Sequence, residues 1–250
     1  LISRLTEQHP ATDLALTTNG ILLPQEAARL RNAGLRRITV SLDALDPVTF
    51  RRMSDSNADP ATVLNGIQIA ASLGFNPLKI NTVVRKSLNE NEILPIAQHF
   101  NRPQFHVRFI EYMDVGNTNR WRREDVISAH RILEILAPLR PSPIPPNYPG
   151  EVASHHRTEN GAIIGIISSV THPFCSNCTR ARLTSDGRLF TCLFGNQSLD
   201  LRAPLRSGIP DDAIADLIRN TWKNRSDRYS ELRSQADPNR IKPEMSVLGG

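Results

Sequence analysis

The 250 residues contain three cysteines, and all of them fall in one stretch, FCSNCTRARLTSDGRLFTC, as Cys175, Cys178 and Cys192. A Cys-x-x-Cys pair can present two sulfurs to one centre through a tight turn. The Ser185-Asp186-Gly187 turn signature then returns the chain so that Cys192 can join them. Three chemistries are open to such a set. Structural zinc needs a fourth protein ligand, for which His172 is available. A [4Fe–4S] cluster accepts three thiolates and leaves one iron open to a small molecule. Three buried cysteines can also serve as small core residues without metal. Arg180 and Arg182 follow Cys178 closely. Their guanidinium groups would favour thiolates and could grip a phosphate through charge-assisted bonds of about 1.5–3 kcal/mol each. On an exposed loop they would be ordinary solvated charges.

Two further residues stand out by type and place. Lys79 lies inside "LKINTVV" and Arg108 inside "FHVRFI", both strand-like segments. A lysine within a parallel strand is costly unless an anion meets it. The elements that must carry these residues alternate. Strands are predicted over 14–18, 36–42, 78–84 and 105–110. Helices are predicted over 24–33, from the Asp59-Pro60 cap to Gly74, and after Asn89. That rhythm implies right-handed crossovers and a parallel sheet, hence an α/β fold.

The strand faces differ sharply. One face carries Leu14, Leu16, Ile38, Val40, Leu78, Ile80, Phe105, Val107 and Phe109. The other carries Asp13, Thr17, Arg37, Thr39, Ser41, Lys79, Asn81, His106 and Arg108. A sheet covered by helices on both sides should be apolar on both. A partly open βα barrel of the TIM type, with a polar lumen, accounts for the asymmetry, and an α+β sheet with one solvated face is the alternative. Four strands cannot close a barrel, so the barrel reading expects further strands upstream. The chain starts at Leu1 in mid-pattern, which reads as an N-terminally truncated fragment. Proline-rich residues 137–150 are expected to mark a boundary or a crossing segment. A strand over 162–170 and a helix over 211–223 follow them.

Composition narrows the partners. The net charge of +5 favours an anion, and aromatics at only 5% are too few for base-stacking platforms, so a phosphorylated small molecule is favoured over nucleic acid. No apolar run is long enough to span a membrane, and three cysteines without a signal peptide point to the cytoplasm.

Together "FCSNCTRARLTSDGRLFTCLF", "TTNG", "VSLDALDP", "RFIEYMDVGN" and the Gly-Gly tail resemble the GTP 3',8-cyclases of molybdenum cofactor biosynthesis, which are radical S-adenosylmethionine enzymes. The match runs in order across essentially the whole chain. The resemblance implies an incomplete TIM-type barrel, here residues 1–116, and a C-terminal iron–sulfur cluster domain, residues 117–250. It implies that S-adenosylmethionine is cleaved at an N-terminal cluster to a 5'-deoxyadenosyl radical, after which C3' of GTP bonds to C8 of its guanine. Cys175, Cys178 and Cys192 would hold a C-terminal [4Fe–4S] cluster whose open iron takes the guanine. Thr17, Lys79, Arg180, Ala181 and Arg182 correspond to GTP contacts, and Ser41 and Met113 to S-adenosylmethionine contacts. Arg108 is added for its place in the same face, as a weaker phosphate candidate. Gly249 and Gly250 correspond to a tail that enters the active site, where glycine lets backbone approach a ligand closely. The implied partners are GTP, S-adenosylmethionine and the downstream cyclic pyranopterin monophosphate synthase, and a homodimer is allowed.

One departure matters. The second, N-terminal [4Fe–4S] cluster of these enzymes needs a Cys-x-x-x-Cys-x-x-Cys motif, and no such motif occurs here. The competing reading is a basic zinc module on Cys175, Cys178, Cys192 and His172 that binds nucleic acid. It needs His172 and tolerates loss of Lys79, whereas the cyclase reading has the opposite requirements. The expected outcome for this chain is that it makes no cyclised product. Turnover by the purified 250-residue chain, supplied with S-adenosylmethionine and reductant, would overturn that expectation.

Overall fold

The computed structural model of the chain describes residues 1–235 and 242–248, and it divides into two compact units. One comprises Leu1–Tyr112 and Arg123–Thr171; the other comprises Met113–Arg122 and the chain from His172 onward. This division differs from a boundary at 116/117, because residues 123–171 join the first unit.

The first unit begins with helix α1 (Ile2–Gln8), which the sequence reading did not predict. It continues through β1 (Ala15–Thr18), α2 (Leu23–Asn32), β2 (Arg37–Ser41), α3 (Pro47–Ser54), α4 (Pro60–Ser72) and β3 (Leu78–Val84). Then come α5 (Ile93–His99), β4 (Phe105–Glu111), α6 (Ala129–Leu136), β5 (Ser142–Ile144), β6 (Ser154–Arg157) and β7 (Ile163–Ile167). Three of its helices, α3, α4 and α6, start where a side chain satisfies a free N–H group. The Asp46 carboxylate accepts from Thr49 N at 2.8 Å, Asp59 from Ala61 N at 2.9 Å, and the Ser128 hydroxyl from Arg131 N at 3.3 Å. Pro47 and Pro60 take the first helical positions, where no N–H is missed.

The seven strands form one open sheet in the order β1-β2-β3-β4-β7-β6-β5. Pairing is parallel from β1 to β7 and antiparallel from β7 to β5. The proline-rich segment is therefore no boundary. It supplies the edge strand β5, where Pro143 lacks a ladder donor at little cost because only one neighbour exists. The apolar face behaves as predicted: Ile38, Val40, Leu78, Ile80, Val107 and Phe109 are buried under Val63, Ile67, Ile93 and Ile96 of the helices. Burying each such side chain contributes about 1.5–3 kcal/mol.

Two carboxylates secure the strand ends. Glu111, buried at the end of β4, accepts from Ala129 N (3.0 Å), Val170 N (2.8 Å), Thr171 N (2.8 Å) and Thr171 Oγ1 (2.5 Å). It thereby ties β4 to the start of α6 and to the chain beyond β7. Asp43, just after β2, accepts from Val83 N at 2.8 Å.

The second unit contains β8 (Arg182–Leu183), β9 (Arg188–Phe190), β10 (Leu199–Asp200), α7 (Arg202–Arg206), α8 (Asp211–Lys223), α9 (Tyr229–Leu232) and α10 (Met245–Leu248). Its three strands form a small antiparallel sheet in the order β10-β9-β8. Among the described residues no helix is long and apolar enough to cross a membrane.

Asp43 yields a test of the first unit. Burial pushes its pKa up to about 6, although the Val83 N–H opposes this. The folded chain thus holds this proton more tightly than the unfolded chain, whose aspartates titrate near 4. Ionisation of Asp43 therefore opposes folding: the penalty is absent below about pH 4, grows to about pH 6 and is complete above it. Two pH units correspond to roughly 3 kcal/mol, which solvent screening at this half-buried residue reduces to about 2 kcal/mol. Relative to Asp43→Asn, the native chain should lose about that much stability between pH 4 and 6.5 in urea titrations. A gap that does not change with pH would contradict the assignment.

Candidate active site

The polar face of the first sheet is assembled by register. Thr17 stands opposite Thr39, Thr39 opposite Lys79, and Lys79 opposite His106, giving one row across four strands. Two residues further along, on the same face, Ser41 stands opposite Asn81, Asn81 opposite Arg108, and Arg108 opposite Gly165. His155 lies opposite Gly165, and Ile144 of β5 stands beyond it. A Cβ at Gly165 would come within 3.0 Å of Arg108 Cγ, so glycine there makes room for the arginine stem. The structure thus brings Thr17, Ser41, Lys79 and Arg108 onto one surface, with Thr17 exposed and the other three half-buried.

This surface is cationic and its carboxylates are already engaged. Asp13 pairs with Arg37 at 2.9 Å. Glu151 pairs with the buried His155 at 2.8 Å and also accepts from Asn147 N at 2.7 Å. Among the described residues, neither Lys79 nor Arg108 has an ion-pair partner. Burial, then the charges of Arg108 and Arg37, lowers the Lys79 pKa, while Glu151 and Asp13 pull it back up. Burial also lowers that of Arg108. His106 is pushed down to about 4, by burial first and then by Lys79, His155, Arg108 and Arg157, so it stays neutral near pH 7. An anion brought to this face would counter the mutual repulsion of these cations.

The second unit carries the cysteines. Its β8–β9 hairpin sets Arg182 opposite Phe190 and turns at Gly187, whose φ of +87° suits glycine. The hairpin returns the chain toward Cys192, as the Ser-Asp-Gly signature predicts. Cys178 N donates to Cys175 O at 3.1 Å, closing the Cys-x-x-Cys turn. All three cysteines are half-buried free thiols. Burial raises the Cys192 pKa, against which Phe194 N donates to its Sγ at 3.4 Å and the Arg182 charge acts. Burial and the neighbouring Arg180 lower the Arg182 pKa, while Cys192 and Cys178 raise it. Arg180 lies over the Phe174 ring at 5.2 Å, and Ala181 is exposed.

Among the described residues no three of His, Cys, Asp and Glu are drawn into a group able to hold a metal ion. Neither the three-thiolate set nor the set completed by His172 stands assembled. The donors nonetheless suit an anionic cluster: three thiols on one hairpin segment, an N–H aimed at one sulfur, and arginines beside them. Met113 is half-buried in the 113–122 segment, and its carbonyl accepts from Asn119 Nδ2 at 3.3 Å. Gly249 and Gly250 lie outside the described residues. A cleft of about 740 Å³ opens beside Cys192, lined by Thr191, Asn196, Arg225, Asp227 and Tyr229 among others.

Sequence reasoning overlooked the residue that organises this unit. Asp114, buried, accepts from Tyr229 Oη at 2.5 Å, Arg233 Nε at 2.9 Å and Lys242 Nζ at 2.8 Å. Burial alone would raise its pKa, yet these donors hold it below the ordinary carboxylate value. Tyr229 stacks on Phe194 with ring centroids 4.6 Å apart, and Arg233 lies over both rings. The signal was present in "RFIEYMDVGN", but an aspartate there is indistinguishable from a loop charge until residues more than a hundred positions away arrive.

Comparison with known proteins gives two family matches. Residues 1–100 match the Radical SAM superfamily, and residues 105–231 match Molybdenum Cofactor Synthesis C. A GTP 3',8-cyclase of Xanthomonas axonopodis pv. citri (strain 306) is 48% identical over 253 residues, covering 100% of this chain and 75% of that protein. The GTP 3',8-cyclase of Acidothermus cellulolyticus (strain ATCC 43068 / DSM 8971 / 11B) is 44% identical, covering 100% and 76%. That of Staphylococcus aureus (strain JH9) is 40% identical, covering 100% and 75%.

The Asp114 cluster makes a stability prediction. Asp114→Ala leaves two cations without their buried carboxylate, which costs about 3–5 kcal/mol. Asp114→Asn keeps one acceptor oxygen but sets an NH2 donor against the remaining donors, so it should recover only part of that cost. Urea unfolding of both variants checks this ranking, and a cost below 1 kcal/mol for the alanine variant would remove Asp114 from its central place.

Proposed function

This chain belongs to the GTP 3',8-cyclase family of the radical S-adenosylmethionine superfamily, and from that premise we propose how its residues serve the reaction. The activity is conversion of GTP, with S-adenosylmethionine, to 3',8-cyclo-7,8-dihydro-GTP in molybdenum cofactor biosynthesis, whose next enzyme is cyclic pyranopterin monophosphate synthase. In this reading the parallel part of the first sheet is an incomplete TIM-type barrel with a polar lumen, and the second unit is its cluster-bearing domain.

One observation supports the assignment of the lumen: Lys79 and Arg108 lie diagonally across the β3–β4 pair, on a half-buried face whose carboxylates are spoken for by Arg37 and His155. Two cations so placed are matched by the phosphates of a nucleotide. Lys79 acts as a point charge on the phosphates, and Arg108 offers a planar fork to their oxygens. Thr17, on the same row, donates its hydroxyl to GTP. Ser41, at the end of β2, and Met113 contact S-adenosylmethionine, one by hydrogen bonding and the other through its polarisable thioether.

Cys175, Cys178 and Cys192 are the residues that would hold a [4Fe–4S] cluster. Bound there, the cluster supplies an iron with a coordination position open to guanine. Arg180, Ala181 and Arg182 line the same approach to GTP. The arginines balance the negative charge of thiolates and nucleotide, and the small Ala181 leaves the backbone accessible.

Metal analysis is the direct test. After purification without oxygen and reconstitution with iron and sulfide, the chain should carry about four irons with matching sulfide. One tightly held zinc that iron does not replace would sink the cluster assignment. Lys79→Ala should weaken GTP binding by roughly 10- to 100-fold, the value of a charge-assisted contact, while His172→Ala should leave both iron content and GTP affinity intact. The reverse pattern would favour a zinc module.

A further inference from the structure

Asn81 occupies the place in β3 where the Ser41 and Arg108 positions meet. It stands opposite Ser41 on one side and Arg108 on the other. Its Oδ1 accepts from Arg108 Nε at 2.8 Å, and Arg108 Nη2 reaches Thr39 Oγ1 at 3.5 Å. We infer that Asn81 is a positioning residue that aims the Arg108 guanidinium at the phosphates of the bound nucleotide without quenching its charge. The inference rests on the reading above that this face receives GTP.

The chemistry lies in the choice of acceptor. An arginine stem has several rotatable bonds, and an unheld guanidinium loses rotamer entropy when a ligand fixes it. A hydrogen bond at Nε fixes the plane of the group before the ligand arrives and leaves the Nη1–Nη2 edge for a bidentate pair with phosphate oxygens. A carboxylate at position 81 would hold the group equally well but would neutralise it, so less attraction would remain for the ligand. A carboxamide orients and leaves the full positive charge available. The surroundings obey the same rule, because the fixed neighbours of Arg108 are Asn81 and Thr39, both neutral, whereas Asp13 and Glu151 are tied to Arg37 and His155. Gly165 clears the opposite side of the stem.

The test compares GTP with guanosine, which lacks the phosphates, by anaerobic calorimetric titration of the full chain. Asn81→Asp retains the shape and the hydrogen bond but adds a negative charge; Asn81→Leu retains the volume but removes the acceptor. Both should weaken GTP binding by about tenfold or more while guanosine affinity changes by less than about threefold. Adding Arg108→Ala to Asn81→Leu should cause little further loss beyond Arg108→Ala alone, because the two residues act as one device. If Arg108→Ala lowers GTP affinity selectively and neither Asn81 variant does, the role of Asn81 is overturned while the phosphate reading stands. If Arg108→Ala leaves the GTP-to-guanosine ratio unchanged, the phosphate reading itself has failed. A variant that loses affinity for both ligands alike, with a lowered melting temperature, would make Asn81 structural only. Should Asn81→Leu fail to fold, Asn81→Asp still decides between these outcomes.

Discussion

The parallel pairing of β3 with β4, in register from Leu78 opposite Phe105 to Val84 opposite Glu111, is the constraint on which the first unit depends. Side chains alternate along a strand, so this one register places Leu78, Ile80, Val107 and Phe109 together beneath the helices. It places Lys79, Asn81, His106 and Arg108 together on the other face. A slip of β4 by one residue would drive Arg108 into the core and bring Val107 and Phe109 to the polar face. The hydrophobic term that holds the fold and the electrostatic term that makes a cationic face are therefore two consequences of the same pairing. Glu111 marks the end of that ladder and shows how strictly it is held, since four donors from two other segments converge on its carboxylate.

A cationic face has a stability cost that the apolar face offsets. Lys79 and Arg108 give up hydration without an ion-pair partner among the described residues, and His106 responds to the same field by remaining neutral. Such an arrangement makes no sense as stabilisation, because unpaired half-buried cations weaken a fold. On the proposed phosphate-binding role it is preorganisation, where the cost is met on folding and returned when an anion binds. Neutral Asn81 and Thr39 fit this logic, since they orient Arg108 while leaving its charge available.

The second unit solves a different problem. Its strands are short and its helix α8 buries no residue, so a core of ordinary size is not available to it. Order comes instead from a few concentrated polar nodes. Asp114 gathers Tyr229, Arg233 and Lys242; the stacked Tyr229 and Phe194 rings then carry that order to the residue whose N–H meets Cys192. Thr191 likewise donates to Asp227, and Arg225 to the Cys178 carbonyl. A cluster bound to the three cysteines would add ligand bonds to this modest framework.

Local physics made much of this legible in advance. The alternation of apolar and polar residues fixed which face of each strand is buried. Proline, aspartate and glycine signals placed the helix ends near 60 and 74. The Ser-Asp-Gly turn announced the hairpin before Cys192. The family likeness was legible too, because the cysteine spacing and its flanking motifs are contiguous. What escaped was everything that depends on partners distant in the chain. Residues 137–150 read as a break because proline is locally disruptive, and only the sheet, by giving β5 a single neighbour, makes Pro143 harmless. Asp114 looked like a loop charge until Tyr229 and Arg233 came to it, and Asn81 looked like one more polar lumen residue until Arg108 was seen to donate to it. Sequence determines periodicity and turn chemistry because these act between near neighbours. Only tertiary structure decides which buried charge meets an ion-pair partner and which neutral side chain holds another in place.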